Sequence, residues 1–200
     1  MSEIFNGLNE IEANFLYWIQ ENVRNGFLTV FFNLITFLGE KGWFFILISV
    51  VLLLFRKTRK AGTTLSLACA FDGLFVNIIL KNVFKRVRPF RIEAMVGTLL
   101  PASWITPGET SYSFPSGHTG ISFAVAFAAF GVLPKKFSIP LLVLASLTAL
   151  SRLYLGVHYP TDIAVGILCG ALAAFLSHLV IRLVSEKWGD KINAKIPNLV

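Results

Sequence analysis

The chain has 200 residues, of which 55% are hydrophobic and only 14% are charged, with a mean hydropathy of +0.70. This apolar share is well above that of ordinary soluble domains, so it excludes a soluble globular protein and predicts a membrane protein. The formal net charge of +7 does not indicate nucleic-acid binding, because several of the basic residues cluster beside apolar blocks, as membrane topology signals do.

The N-terminal region, residues 1–39, is predicted to lie mainly in the membrane interface. In residues 8–23 apolar positions recur at helical spacing among acidic and amide side chains, a pattern typical of an interfacial amphipathic helix. The apolar stretch 27–39 is too short to cross about 30 Å of hydrocarbon by itself. It fits an interfacial or re-entrant segment, or the end of a span that starts near Asn14, and we favour the interfacial placement.

Five apolar blocks follow, and each approaches the roughly 20 residues that a spanning helix needs. They cover residues 42–55, 61–83, 117–133, 138–155 and 160–184. The expected fold is therefore an all-α, polytopic transmembrane helix bundle with five spans, or six if the N-terminal stretch also crosses. One membrane-embedded domain is expected to cover residues 1–200.

Basic connections predict the orientation of the bundle. By the positive-inside rule, the clusters at 56–60 and 134–136 and the lysine-bearing tail face the cytoplasm. The connections 84–116 and 156–159 then face outward, and the unusual polar residues fall in or beside these two. We therefore expect an active site on the extracytoplasmic face of the inner or plasma membrane, covered by the outer loop 84–116, and a cytoplasmic C-terminus.

The outer end of the second block carries two cations that we expect to share a face. Lys81 and Arg88 are seven residues apart, which is two helical turns if the helix persists, and Pro89 biases Arg88 away from helix. The other basic residues here are interpreted as an interfacial belt that snorkels to lipid head groups. They are Lys85, Arg86 and Arg91.

The sequence SFPSGHTG, residues 113–120, lies at the start of the third block and has the outline of an anion site. Ser116 is a plausible N-cap, so free backbone N–H groups and the positive end of a helix dipole would face a ligand there. Gly117 would let an anion approach the main chain, and His118 adds a proton donor.

The sequence SRLYLGVHYPTD lies between the last two blocks and brings ionisable groups to a membrane boundary. Arg152 offers a planar fork that suits phosphate oxygens. Pro160, near the first position of the last helix, places Asp162 where it can accept a hydrogen bond from one nitrogen of His158. The other nitrogen then keeps a lone pair, which makes His158 a candidate nucleophile.

Each group has a structural alternative, since the histidine and aspartate could close a helix turn and Arg152 could cap its own helix. Together the groups predict a phosphate pocket that contains a nucleophile and an acid. Three single residues in the apolar blocks are interpreted as packing or interhelical contacts, and no metal-ligand set is recognised. These residues are Cys69, Cys169 and His178.

These segments resemble the three signature motifs of the type 2 phosphatidic acid phosphatase superfamily, the integral-membrane lipid phosphate phosphatases. The first is Lys81, six residues, then Arg88 and Pro89, and the second is residues 115–118, read Pro-Ser-Gly-His. The third is residues 151–162, with Ser-Arg, five residues, His158, three residues and Asp162. All motif positions are matched, in order.

The resemblance implies a metal-independent phosphatase with no cofactor and a covalent phosphohistidine intermediate. In that mechanism His158 attacks phosphorus, Asp162 orients it, and His118 protonates the leaving oxygen and then activates water. Phosphoryl transfer needs mainly positioning and charge neutralisation, which cations can supply. The residues implied to hold the phosphoryl oxygens are Lys81, Arg88, Arg152, Ser116 and the main chain near Gly117.

The implied partner is a membrane lipid, and the resemblance favours hydrolysis of undecaprenyl diphosphate to the monophosphate. Phosphatidylglycerol phosphate, phosphatidic acid and lipid A phosphates are close alternatives, and the partly apolar connection 90–114 with Trp104 is expected to contact head group or acyl chain. Two other classes stay open, a vanadium haloperoxidase and a non-catalytic lipid-phosphate binding or transport protein. Bromide oxidation with vanadate, and phosphate release, would distinguish them.

Overall fold

The computed structural model describes residues 5–91 and 111–200, and within these ranges the chain is helical with no β-strand. The all-α, polytopic bundle predicted from the sequence is confirmed. Most of the predicted outer cover, including Trp104, falls outside the described residues. The helices are α1 (Asn6–Asn22), α2 (Gly26–Gly39), α3 (Trp43–Leu54), α4 (Arg59–Asp72), α5 (Lys81–Phe84), α6 (Gly117–Val132), α7 (Lys135–Tyr154) and α8 (Pro160–Lys195).

Helix α1 exposes some of its apolar side chains, and its buried side includes two polar residues beside Leu16 and Ile19. Ile11 and Trp18 are exposed, whereas Glu12 and Gln20 are buried. The Gln20 Nε2 donates to the carbonyl oxygen of Tyr154 at 2.8 Å, which ties α1 to the end of α7. An outward apolar face agrees with a helix that lies in the membrane interface.

Helices α2 and α3 form one apolar segment with a kink. Lys41 and Gly42 have φ angles of 47° and 72°, so the chain changes direction between the two helices. Together Gly26–Leu54 comprises 29 residues and is long enough to cross a membrane. The span predicted at 42–55 is therefore preceded directly by α2, and the interfacial placement of 27–39 stays a prediction.

The segment Arg59–Arg91 carries Lys81 and Arg88, the two cations of the first motif. Helix α4 passes into π-helical turns at Gly73–Leu80, a form of helix that is frequent at functional sites, and then into α5. Helix α5 ends because Lys85 adopts a left-handed φ of 49°. The expectation that Lys81 and Arg88 share a helical face is therefore wrong, and the two cations meet across a turn instead.

Helices α4, α6, α7 and α8 pack around a core of small side chains. A Cβ on Gly170 would lie 2.7 Å from the carbonyl oxygen of Gly120, so α8 and α6 approach through their backbones. Small residues permit such close packing of membrane helices. Helix α8 has 36 residues and extends beyond the predicted end at 184. Buried core residues include Ala68, Ala124, Val125, Ala126, Ala128, Ala129, Ala145 and Ala173.

The basic connections and the C-terminus meet at one end of the bundle. The Arg59 Nη1 donates to the Pro197 carbonyl oxygen at 3.0 Å, and Thr58 and Leu133 line one depression on this surface. The starts of α6 and α8 and the end of α5 lie at the opposite end, together with the polar motifs. The fold thus separates the basic turns from the candidate site.

Candidate active site

A cavity of about 280 Å³ lies where the end of α5 meets the start of α6. Four predicted site residues share its wall, although they come from two motifs that are far apart in the sequence. The full lining, including these four, is Lys41, Asn77, Lys81, Arg88, Ser111, Gly117, His118 and Ile121.

His158 and Asp162 form the predicted pair at the start of α8. Gly156, with a φ of 65°, turns the chain before the pair, and Pro160 begins the helix. The His158 Nδ1 is 3.2 Å from the Asp162 Oδ2, and the same oxygen accepts the Tyr159 N–H at 2.9 Å. Both side chains are fully buried, so the pair is held from several sides.

Arg88 connects this pair to the cavity, because it lines the cavity and also contacts His158. Its Nη1 lies 3.1 Å from the His158 Nε2 and 3.2 Å from the Val157 carbonyl oxygen. A guanidinium can only donate, so Nε2 must accept and the ring proton sits on Nδ1, facing Asp162. The lone pair of His158 therefore points toward the cationic side of the site.

The surroundings of His158 favour its neutral form. Burial, followed by the positive charges of Arg88, Arg152 and Lys81 and by His118, lowers the pKa of His158 well below its ordinary value of 6.5. At neutral pH the imidazole therefore carries the unprotonated nitrogen that nucleophilic attack requires.

Ser111 and Ser113 hold both cationic and acidic groups, and the sequence analysis missed them. The Ser111 Oγ accepts from the Arg88 Nη2 at 2.9 Å and from the Lys81 Nζ at 3.5 Å, while Ser113 donates to the Asp162 Oδ2. The segment SYSF has no recognisable motif, so only its proximity to the second motif could have drawn attention to it.

The start of α6 has the helix-terminus geometry that the sequence predicts. The Ser116 Oγ caps the helix and accepts from the Thr119 N–H at 3.4 Å and from the Thr119 hydroxyl at 3.0 Å. Gly117 lies on the cavity wall, where an added Cβ would approach the Asn77 Oδ1 to 3.0 Å. The positive end of the α6 dipole is thus at the cavity. Ser116 caps this end of the helix.

His118 contacts the α2–α3 turn, which the sequence analysis did not assign to the site. Its Nε2 lies 3.5 Å from the Glu40 Oε2 and 3.4 Å from the Lys41 backbone nitrogen, which donates to it. Lys41 also lines the cavity. A third region of the chain therefore contributes to the site, and no motif in the sequence marks it.

Arg152 approaches from the end of α7 and is buried. Its Nη1 donates to the Thr36 Oγ1 of α2. The charge of Arg152 also acts on His158, and the cavity lining given above does not include Arg152.

The interpretation of Arg86 as part of a lipid-facing belt is wrong. Its side chain is 1% exposed, and its Nη1 lies 2.7 Å from the Asp162 Oδ1. A buried guanidinium is stable only with partners for its N–H groups, and acidic and amide oxygens supply them here. The neighbouring Lys85 and Arg91 are exposed, as a belt requires.

The single residues in the apolar helices have structural surroundings. Cys69 and Cys169 are free thiols, and the His178 Nε2 lies 3.0 Å from the Ala128 carbonyl oxygen, which links α8 to α6. Across residues 5–91 and 111–200, no group of three or more His, Cys, Asp or Glu side chains is arranged to hold a metal ion.

Comparisons with known proteins show the family and the fold of this chain. Residues 61–185 match the family model of the PAP2 superfamily. An undecaprenyl-diphosphatase from Sulfolobus acidocaldarius is 34% identical over 147 residues, which covers 72% of this chain and 68% of that protein. A lipid A 1-phosphatase from Rhizobium johnstonii is 29% identical over 169 residues, which covers 74% of this chain and 66% of that protein.

Two solved structures have the same fold. The crystal structure of Aquifex aeolicus LpxE has a TM-score of 0.66 at 30% identity, over 81% of this chain and 92% of that one. The Bacillus subtilis transmembrane PAP2 type phosphatidylglycerolphosphate phosphatase has a TM-score of 0.68 at 28% identity, over 90% of this chain and 88% of that one. The chain spans about two thirds of the curated relatives and most of both solved structures.

Proposed function

Because this chain belongs to the PAP2 superfamily and is a membrane lipid phosphatase, we propose that it transfers a phosphoryl group from a lipid to His158 and then to water. The observation that carries the proposal is the position of the His158 ring, whose Nδ1 lies 3.2 Å from the Asp162 Oδ2 and whose Nε2 lies 3.1 Å from the Arg88 Nη1. We propose that residues 1–200 act as one domain in this reaction.

Substrate binding first frees the nucleophile. In the absence of substrate the Arg88 Nη1 donates to the lone pair of His158. An arriving phosphoryl group has charged oxygens. These oxygens accept a hydrogen bond from the Arg88 N–H group more strongly than the neutral His158 nitrogen does. Arg88, Lys81 and Arg152 then neutralise the phosphoryl oxygens, with the N–H groups at Gly117, and His158 Nε2 is left facing phosphorus.

Two transfers complete the reaction. In the first, the His158 Nε2 forms a bond to phosphorus while the bond from phosphorus to the leaving oxygen breaks, and His118 gives that oxygen a proton. In the second, His118 takes a proton from water as the water oxygen bonds to phosphorus and the phosphorus–nitrogen bond breaks. Inorganic phosphate leaves, and both histidines return to their starting states.

We propose undecaprenyl diphosphate as the substrate, with phosphatidylglycerol phosphate, phosphatidic acid and lipid A phosphates as alternatives. A relative with 34% identity is named undecaprenyl-diphosphatase. Lys41 adds a further cation to the cavity wall, which suits the second phosphate of a diphosphate. The site is proposed to face the extracytoplasmic side, with the C-terminus in the cytoplasm, since the basic turns lie at the opposite end of the bundle.

A lipid panel tests this proposal. The purified protein in detergent with excess EDTA is expected to release phosphate from undecaprenyl diphosphate with a higher kcat/KM than from phosphatidylglycerol phosphate, phosphatidic acid or lipid A phosphate. Lys41→Gln should reduce the preference for the diphosphate more than it reduces turnover of a monophosphate. A preference for a monophosphate would replace the proposed substrate, and loss of all activity in EDTA would contradict a metal-independent mechanism.

The rate is expected to depend on pH as a bell-shaped curve. His158 must be unprotonated to attack, so kcat/KM falls as the pH drops through the pKa of His158, which is held well below 6.5. His118 must be protonated to donate, so the rate falls again at high pH, and the two limbs belong to the coupled pair. The measurement is kcat/KM for a short-chain phosphomonoester from pH 4 to 10. A flat profile, or an acid limb centred above pH 7, would contradict the assignment.

A further inference from the structure

A buried network behind the catalytic pair is not used by the mechanism above. Arg86 lies at its centre and contacts groups from two other parts of the chain, helix α1 and the start of α8. Its Nη1 donates to the Asp162 Oδ1 and to the Thr161 Oγ1, both at 2.7 Å, and its Nε donates to the Asn9 Oδ1 at 3.0 Å. The guanidinium also lies over the Tyr159 ring, 3.8 Å from the ring centroid.

Helix α1 supplies the second acidic partner of this network. The Glu12 Oε2 accepts from the Arg86 Nη2 at 2.5 Å and from the Thr161 hydroxyl at 2.9 Å, and its Oε1 accepts the Thr161 N–H at 2.6 Å. Glu12 is only 5% exposed, and it shares the buried side of α1 with Leu16 and Ile19. An acid turned inward at this position is costly unless its charge is paired, as it is here.

The two oxygens of Asp162 have separate partners. Oδ2 meets the His158 Nδ1, the Tyr159 N–H and the Ser113 hydroxyl, whereas Oδ1 meets Arg86. The Arg86 contact therefore fixes the rotation of the carboxylate that orients the nucleophile. Arg86 is itself held between Asp162 and Glu12, so α1 reaches the nucleophile through two ion pairs.

We propose that Arg86 and Glu12 are positioning residues for the nucleophile, and that α1 completes the active site by holding Arg86 against Asp162. The inference rests on the proposed function, because it requires His158 to be the group that attacks phosphorus. The proposal gives helix α1 a role in positioning the nucleophile. Among the described residues, this helix contributes no side chain to the cavity wall.

The two ion pairs predict opposite effects on His158. Without Arg86, a positive charge near His158 is lost and the carboxylate of Asp162 is paired with His158 alone. Both changes favour protonated His158, so the acid limb of the pH–rate profile moves to higher pH. Without the charge of Glu12, Arg86 is shared with Asp162 alone, so the acid limb moves to lower pH. The other charged and titratable groups that act on His158 stay in place in both variants. They are Arg88, Arg152, Lys81 and His118.

The experiment compares Arg86→Gln, Arg86→Lys and Glu12→Gln with wild type, using the full-length protein and a soluble phosphomonoester. We expect Arg86→Gln to lower kcat at least about tenfold and to raise the midpoint of the acid limb, and Arg86→Lys to recover part of the rate. Glu12→Gln should lower kcat by a smaller factor and shift the midpoint downward. The matched controls, Glu10→Gln and Lys85→Gln, change exposed charges on the same two segments and should match wild type.

The outcomes separate this inference from the proposed function. If Arg86→Gln does not fold, Arg86→Lys and Glu12→Gln still carry the test, since both keep a side chain of similar size. Variants that lower the melting temperature but leave kcat and the acid limb at wild-type values would overturn the inference while the proposed function stands. If His158→Ala retains phosphate release, both fail, because no nucleophile remains to be positioned.

Discussion

Replacing His158 by alanine is expected to abolish phosphate release. The variant loses the nitrogen that attacks phosphorus, and no other described side chain is held by Asp162 in the same way. Loss of an activated nucleophile lowers kcat on the order of 10⁴-fold or more. The measurement is release of inorganic phosphate from the preferred lipid, with binding of that lipid measured in parallel. Binding should persist, because the cations of the cavity are unchanged.

The matched control for this prediction is His178→Gln. His178 is also a histidine in the bundle, but it lies in the interior of α8, where its ring nitrogen contacts the Ala128 carbonyl oxygen and its ring lies against Gly131. It should retain wild-type turnover. In wild type, rapid alkaline quenching during turnover should recover label from a ³²P-labelled substrate on the protein, and later acid treatment should release that label. Unchanged phosphate release by His158→Ala would refute the mechanism and favour a pocket that only binds lipid phosphates.

Replacing His118 by alanine is expected to produce an effect that depends on the leaving group. A general acid contributes about 10²- to 10⁴-fold when the leaving oxygen is a poor one, such as that of a lipid alcohol. A nitrophenyl ester needs no proton, so the first transfer should remain fast in the variant. The second transfer should be slow with every substrate, because the water then lacks its base.

Pre-steady-state kinetics measures this difference. With the nitrophenyl ester, His118→Ala should give a burst of nitrophenol close to one per site and then a slow steady rate, and the phosphorylated protein should accumulate. With a lipid phosphomonoester such as phosphatidic acid, whose leaving group is an alcohol, both the burst and the steady rate should be lost. Equal losses on the two substrates, with no burst, would mean that His118 only binds the phosphoryl group. Glu40→Gln is a useful companion variant, since Glu40 contacts the same nitrogen of His118.

The three motifs made the chemistry of the site accessible from sequence. Pro160 and the spacing of four residues between His158 and Asp162 are local features, and the pair has the expected contact at 3.2 Å. Ser116 caps α6 for the same reason, because an N-cap depends on residues within one turn. The apolar blocks likewise predicted the helical bundle, since burial in lipid requires long apolar helices.

Local sequence patterns did not predict the positions of charged side chains that depend on the backbone turn at Lys85 or on contacts with distant residues. Lys81 and Arg88 have helical spacing, but the left-handed backbone at Lys85 ends the helix between them. Arg86 has the sequence surroundings of a lipid-facing cation, yet it is buried because Glu12 and Asp162 reach it from 74 and 76 residues away. The residues within one helical turn of Arg86 in the sequence therefore do not indicate that Glu12 and Asp162 are its partners.

By itself, the amino-acid sequence determined the class of fold and the reaction class, and it predicted the residues that we propose to carry the chemistry, because hydrophobic blocks and short motifs act within one or two helical turns. The tertiary structure decided which charged groups face lipid and which are buried, and it brought α1, the α2–α3 turn and Ser111 and Ser113 to the site. These contacts join segments that are distant along the chain. Whether a charge can be buried depends on the partners that the whole fold assembles around it.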